Sequence, residues 1–229
     1  MINLRIVAEG DSEEAFCKRL LIPHLYSAGV FATVSKVETS HLRRRPDVKF
    51  KGGVTTYEHV RRDVRNFLIH DSRPDLRVTT FIDYFHLPSD FPGKATERQN
   101  MTKDERIAHL ESALGADISD VRFLPYIQKH EFEAFMFVDM SRLVQLYPGH
   151  ACKIGRIARG AQGLAPEDVN GGDYTSPSMR IMAEFREHER NKPRIVPILE
   201  QIGLPTLRSS CPHFNSWVTA LENMGGANA

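Results

Sequence analysis

The 229 residues carry 41% hydrophobic and 26% charged side chains, close to the globular average, which excludes a disordered or fibrous chain. A formal net charge of +1 gives no general attraction to nucleic acid or acidic membranes, so any such binding must come from a local patch. No apolar run approaches the roughly 20 residues that span a bilayer, and Met1–Ala8 has a strand pattern rather than that of a signal peptide, so a cytoplasmic setting without membrane contact is expected.

In chain order, Ile2–Ala8 reads as a strand, followed by a helix opening at Asp11 or Ser12, where a short polar side chain can cap free N–H groups, and kinked or ended by Pro23. A second strand over about Phe31–Val37 leads through a polar loop to Gly52-Gly53. After it, Val60, Val64, Phe67 and Leu68 recur at helical spacing. Leu76–Ile82 is a β-branched, buried strand, and a loop with Pro88, Pro92 and Gly93 separates it from a helix that Thr102 and Glu105 open with a capping box. Val121–Ile127 is a fourth strand, and beyond about residue 130 the pattern is mostly helical. Strands alternating with helices predict right-handed crossovers and a mainly parallel, Rossmann-like sheet with helices on both faces, followed by a mostly helical C-terminal part. The three cysteines, Cys17, Cys152 and Cys211, are far apart and odd in number, which suggests reduced and buried thiols rather than disulfides or a CxxC zinc site.

Open parallel sheets place their sites beyond the carboxyl ends of the strands. The first strand ends in Ala8-Glu9-Gly10-Asp11, with Glu9 set to project over the sheet edge. Asp11, Glu13 and Glu14 read more simply as acids at the positive end of the next helix. The third strand ends in Phe81-Ile82-Asp83-Tyr84-Phe85, one carboxylate among apolar neighbours, where ionisation is costly without a cation or hydrogen bonds. The fourth runs into Lys129-His130-Glu131-Phe132-Glu133-Ala134, where His130 and Glu133 are expected on one helical face. Position 134 is Ala, so this is not an HExxH zinc motif. Converging carboxylates would favour a hard cation, Mg2+ or Mn2+, and with it phosphoryl chemistry, His130 or Lys94 assisting in proton transfer or phosphate contact. Each acid taken singly is equally well a cap or a surface group.

Ile6-Val7-Ala8-Glu9-Gly10 with Glu13, and then Ile82-Asp83-Tyr84, resembles the Glu-Gly and acidic-strand signatures of the Toprim fold of topoisomerases, primases and OLD-type nucleases, over about residues 1–135. A closer resemblance spans nearly the whole chain. Asp83-Tyr84 with Leu87-Pro88 and Asp90-Phe91-Pro92-Gly93, His130 to Ala134, and Cys211-Pro212-His213-Phe214 with Trp217 are similar to a bacterial Toprim-like family of unknown function, domain-of-unknown-function family 4276. The resemblance implies a Toprim-like core over 1–138, a helical extension over 139–229 packed on it, and Glu9, Asp83 and Glu131 as metal-site residues. It also implies a bacterial setting beside ATPase genes of the AAA or ABC type in defence or mobile-element loci. Toprim enzymes usually carry a second aspartate two places after the first. Here that place holds Phe85, leaving Asp90 or Glu133 as replacement.

Two further clusters stand out. Arg43, Arg44 and Arg45 with Lys49, Lys51, Gly52 and Gly53 form a basic loop suited to gripping phosphates, or a solvated one. Ser176-Pro177-Ser178 with Arg180 starts a helix able to present N–H groups to an anion, or is simply capped. Arg208 and the segment Cys211 to Trp217 accompany it. The expectation is a metal-dependent phosphodiesterase or nuclease acting on nucleic acid, DNA in preference to RNA, with Glu9, Asp83, His130 and Glu131 catalytic and Glu133 a further ligand. The contrasting expectation is a non-catalytic interaction or nucleotide-binding module with a degenerate site, docked on an ATPase.

Overall fold

A computed structural model of the chain describes residues 1–38, 56–85, 87–169 and 175–226. Strand β1 (Ile2–Ala8) feeds α1 (Asp11–Phe16), a π-helical stretch Cys17–Leu21 and α2 (Ile22–Ser27). Then come β2 (Val30–Lys36), α3 (Tyr57–His70), β3 (Leu76–Asp83), α4 (Lys103–Ile118), and the short strands β4 (Phe123–Leu124) and β5 (Ile127–Gln128). The remainder is helical: 3-10 turns at Phe132–Val138 and Met140–Gln145, then α5 (Ala151–Gly160), α6 (Pro177–Glu184), α7 (His188–Asn191), α8 (Val196–Ile202), α9 (Leu204–Ser210) and α10 (Pro212–Gly226). The strand order is β2-β1-β3-β4, with β5 also on β3, and every pairing is parallel. The chain is thus an α/β protein with a mainly parallel sheet and a helical C-terminal part. No described helix is long and apolar enough to cross a membrane.

Side-chain alternation divides the sheet's two faces between two cores. Ile2, Leu4 and Ile6 of β1 join Phe81, α1 and the C-terminal helices. Val7 joins Leu76, Val78 and Ile82 of β3 under α3 and α4. The C-terminal part is tied to the sheet by Trp217, whose indole N–H donates to Thr79 Oγ1 at 3.0 Å while its ring stacks on Tyr126 at 4.1 Å. Cys17 and Cys211 are buried thiols, whereas Cys152 is exposed.

Four local expectations are corrected. The first helix has Gly10 as its N-cap residue, with no side-chain cap. Pro23 neither ends nor breaks the helical run: the π turn before it, closed by Ile22 N–H to the Cys17 carbonyl, leads directly into α2, with Pro23 in its first turn, where a missing N–H costs little. The fourth strand is split. Val121 is fully exposed, Pro125 has no N–H for the ladder, and Thr80 Oγ1 stands in for it by accepting from Tyr126 N–H and donating to the Tyr126 carbonyl. His130 and Glu133 do not share a helical face, because His130 has left-handed backbone (φ 64°) and the following helix is a 3-10 turn starting at Phe132.

Candidate acidic site at the strand ends

Parallel register sets the end of β1 beside the end of β3, with Ala8 opposite Phe81. One residue further on, Glu9 N–H donates to the Phe81 carbonyl, and Glu9 Oε2 accepts the Asp83 N–H at 2.8 Å. The ladder continues past β3: Tyr84 N–H reaches the Gln128 carbonyl and Phe85 N–H the His130 carbonyl. The left-handed turn at His130 then swings the chain back, so that Phe132 N–H donates to Asp83 Oδ2 at 3.1 Å. Asp83 Oδ1 is buried and, among the described residues, has no hydrogen-bond partner.

Two more carboxylates share this region. Glu13, on the first turns of α1, is 7% exposed, and Glu133 is 3% exposed. Burial, the charge of Glu9 and more weakly that of Glu133 push the Glu13 carboxyl up to about 8. Asp83 is raised well above the usual carboxylate range by burial first and then by Glu9, Glu13 and Glu133. These four acids therefore form one interacting group. A cation enters from the C-terminal half, where Lys192 Nζ lies 2.9 Å from Glu133 Oε1.

Glu131 is held by a different element. It is 4% exposed, and its two oxygens accept the Ser178 N–H at 2.8 Å and the Ser178 hydroxyl at 2.9 Å, at the start of α6. The anion met by this helix start is the chain's own carboxylate. Burial, and next the charge of Glu133, raise the Glu131 pKa against the lowering by Ser178. His130 is 5% exposed, and burial, then Lys103 and Lys129, bring its pKa down to about 4, so the ring is neutral at physiological pH. Lys94 lies 4.6 Å above the Tyr84 ring, next to Asp83, with Glu97 at 3.2 Å. Asp90 accepts the Tyr57 N–H at the start of α3, and Phe85 stands where a second aspartate is expected. Arg43, Arg44, Arg45, Lys51, Gly52 and Gly53 lie outside the described residues.

Glu9, Asp83 and Glu133, all singled out from sequence, thus meet with Glu13 and Lys192, which sequence reasoning did not include. Glu13 was legible as a carboxylate four residues after Glu9 across Gly10, but its first-turn position suggested a helix-end role. Lys192 carries no sequence signal, because it reaches the site only through the packing of the C-terminal helices.

An oxygen-only donor group, an unpartnered buried carboxylate oxygen and mutual repulsion are the chemistry a hard divalent cation satisfies. By charge and donor type the residues fit such an ion. No three His, Cys, Asp or Glu side chains among the described residues are already arranged around a metal position, and Glu9 Oε2 is engaged by the Asp83 N–H.

An α/β protein with clustered carboxylates at the carboxyl ends of β1 and β3 is the class that fold and site define. Residues 8–222 match the model of the family described as a domain of unknown function, DUF4276, and the chain belongs to that family. No curated protein and no solved structure matches it.

Proposed function

We propose that this protein is a metal-dependent phosphodiesterase or nuclease of Toprim-like type. The observation that carries the reading is the group Glu9, Glu13, Asp83 and Glu133 at the strand ends, Glu13 and Glu133 buried and Glu9 and Asp83 half-buried, with an unpartnered Asp83 oxygen and Lys192 beside it. Glu9, Glu13, Asp83 and Glu133 would hold Mg2+ or Mn2+, which would supply charge neutralisation at phosphate oxygens and an activated water. Lys192 adds a positive charge where phosphoryl charge would develop. The buried neutral His130 orders the turn at the site's edge and is a poor proton carrier near neutral pH. Lys94 and the basic loop of Arg43, Arg44, Arg45, Lys51, Gly52 and Gly53 are the proposed grip on a nucleic acid, DNA in preference to RNA. The setting is cytoplasmic and bacterial, with an AAA- or ABC-type ATPase partner in defence or mobile-element biology.

A second reading, a non-catalytic interaction or nucleotide-binding module, is favoured by Phe85 in place of a second aspartate and by the lack, among the described residues, of three His, Cys, Asp or Glu side chains arranged around a metal position. Cleavage of single- and double-stranded DNA and RNA with Mn2+ or Mg2+, by wild type, Glu9→Ala and Asp83→Ala, with and without the ATPase, separates the two. Metal-dependent cutting lost in both folded variants supports the enzyme. No cutting and no bound metal leaves the module.

A further inference from the structure

Glu131 sits one residue from the Phe132 N–H that holds Asp83, and although its carboxylate feels the charge of Glu133, it is bonded to a different element. Both of its oxygens are taken by Ser178, 47 residues along the chain and on a different element. Upstream, His130 occupies the left-handed region, where a non-glycine residue is strained and persists only if its surroundings hold it. Among the contacts at this turn, two involve its backbone and the next side chain. Phe85 N–H fixes the His130 carbonyl, and Ser178 fixes the Glu131 side chain. Downstream, the Glu131 carbonyl accepts the Ala134 N–H and so starts the 3-10 turn that carries Glu133. A single peptide turn therefore aims the Phe132 N–H at Asp83 Oδ2 and places Glu133.

We infer that Glu131 is a positioning residue: clamped to Ser178 at the start of α6, it fixes the turn whose Phe132 N–H orients Asp83, and it is not itself a metal ligand. The clamp makes α6 part of the site's support without touching a substrate or ion. For its effect on metal the inference rests on the proposed metal-dependent function; for its effect on the Phe132 N–H it does not. Supporting groups that orient ligands typically cost about 10- to 100-fold in metal affinity when removed.

The test uses the full chain as wild type, Glu131→Gln, Glu131→Ala, Ser178→Ala and Asp83→Ala, with two readouts. The first is hydrogen exchange at the Phe132 amide in metal-free protein, with the Val78 amide of β3 as reference. Glu131→Ala should speed exchange at Phe132 about tenfold or more relative to Val78. Ser178→Ala should do so less, since its N–H remains, and Glu131→Gln should stay near wild type because its amide oxygen still accepts that N–H. The second is Mn2+ affinity: Asp83→Ala should abolish binding, Glu131→Ala should weaken it about 10- to 100-fold, and Glu131→Gln should restore most of it. Phe132 exchange unchanged relative to Val78 would overturn the inference, as would Glu131→Gln losing Mn2+ as completely as Asp83→Ala, the behaviour of a ligand. Should wild type bind no Mn2+, the metal reading falls while Phe132 exchange still decides the positioning role. Should Glu131→Ala not fold, Ser178→Ala and Glu131→Gln carry the same comparison.

Discussion

The Lys192 ammonium lies 2.9 Å from Glu133 Oε1, so the segment between α7 and α8 delivers a positive charge to carboxylates gathered at the far ends of β1 and β3. In the proposed enzyme that charge would compete with a metal ion for Glu133 and would stabilise phosphoryl oxygens. Lys192→Met should leave Mn2+ affinity equal or tighter while lowering kcat by about 100- to 1,000-fold, the scale of losing one preorganised electrostatic contact. Calorimetric titration beside cleavage kinetics checks the split. Reduced metal affinity with unchanged kcat would make Lys192 only a structural counter-ion.

Glu13 gives the metal-free protein a pH dependence of definite sign. Its pKa rises from 4.5 to about 8 on folding, so between those values the folded state holds a proton that the unfolded state has lost. Its contribution to stability is full below about pH 4.5 and declines as pH rises through about 8. Glu13→Gln, which keeps a neutral side chain of the same shape, should flatten this decline, seen as a smaller loss of urea midpoint between about pH 5 and pH 8. Equal slopes for wild type and variant would show that Glu13 ionises normally.

His130 acts in the opposite direction. Its pKa falls from 6.5 to about 4 on folding, so the unfolded chain binds a proton that the folded one refuses, and stability is lost as pH drops from about 6.5 through about 4. Asparagine tolerates left-handed backbone better than histidine and does not titrate. His130→Asn should keep the turn and remove this acid limb, which thermal melts across that range would reveal. A variant that melts far below wild type already at neutral pH would show instead that the imidazole itself holds the turn.

Local signals and tertiary ones differ in how far they could be read in the sequence. β1 matches its expected bounds, and Thr102 with Glu105 forms the expected capping box in full, because both depend on neighbours a few residues away. The break at Pro125 required knowing that Thr80 would substitute for the ladder, a contact 46 residues distant. At the site, Glu9 and Asp83 were legible because parallel strand ends must lie side by side. Glu131 was singled out as a metal-site acid through the family resemblance, but its bonding to Ser178 was not legible, since that depends on where α6 docks. Ser178 marked a helix start ready for an anion, and nothing local said that the anion belongs to the same chain.

The same device recurs at the start of α10, where it can be tested without any assumption about function. Glu167, 1% exposed, accepts the His213 N–H and the Phe214 N–H at 2.9 Å each, one on each oxygen, so a carboxylate 46 residues upstream caps the helix that carries Trp217 to β3. Helix N-termini leave N–H groups without internal partners, and a buried N–H that loses its acceptor costs about 1–3 kcal/mol. Glu167→Ala strands both donors and should destabilise by about 2–5 kcal/mol. Glu167→Gln keeps one acceptor oxygen and should cost less, about 1–3 kcal/mol. Urea unfolding of the two variants, followed by Trp217 fluorescence, measures the order. Equal and small losses would mean that water replaces the carboxylate and that this helix start is not sealed.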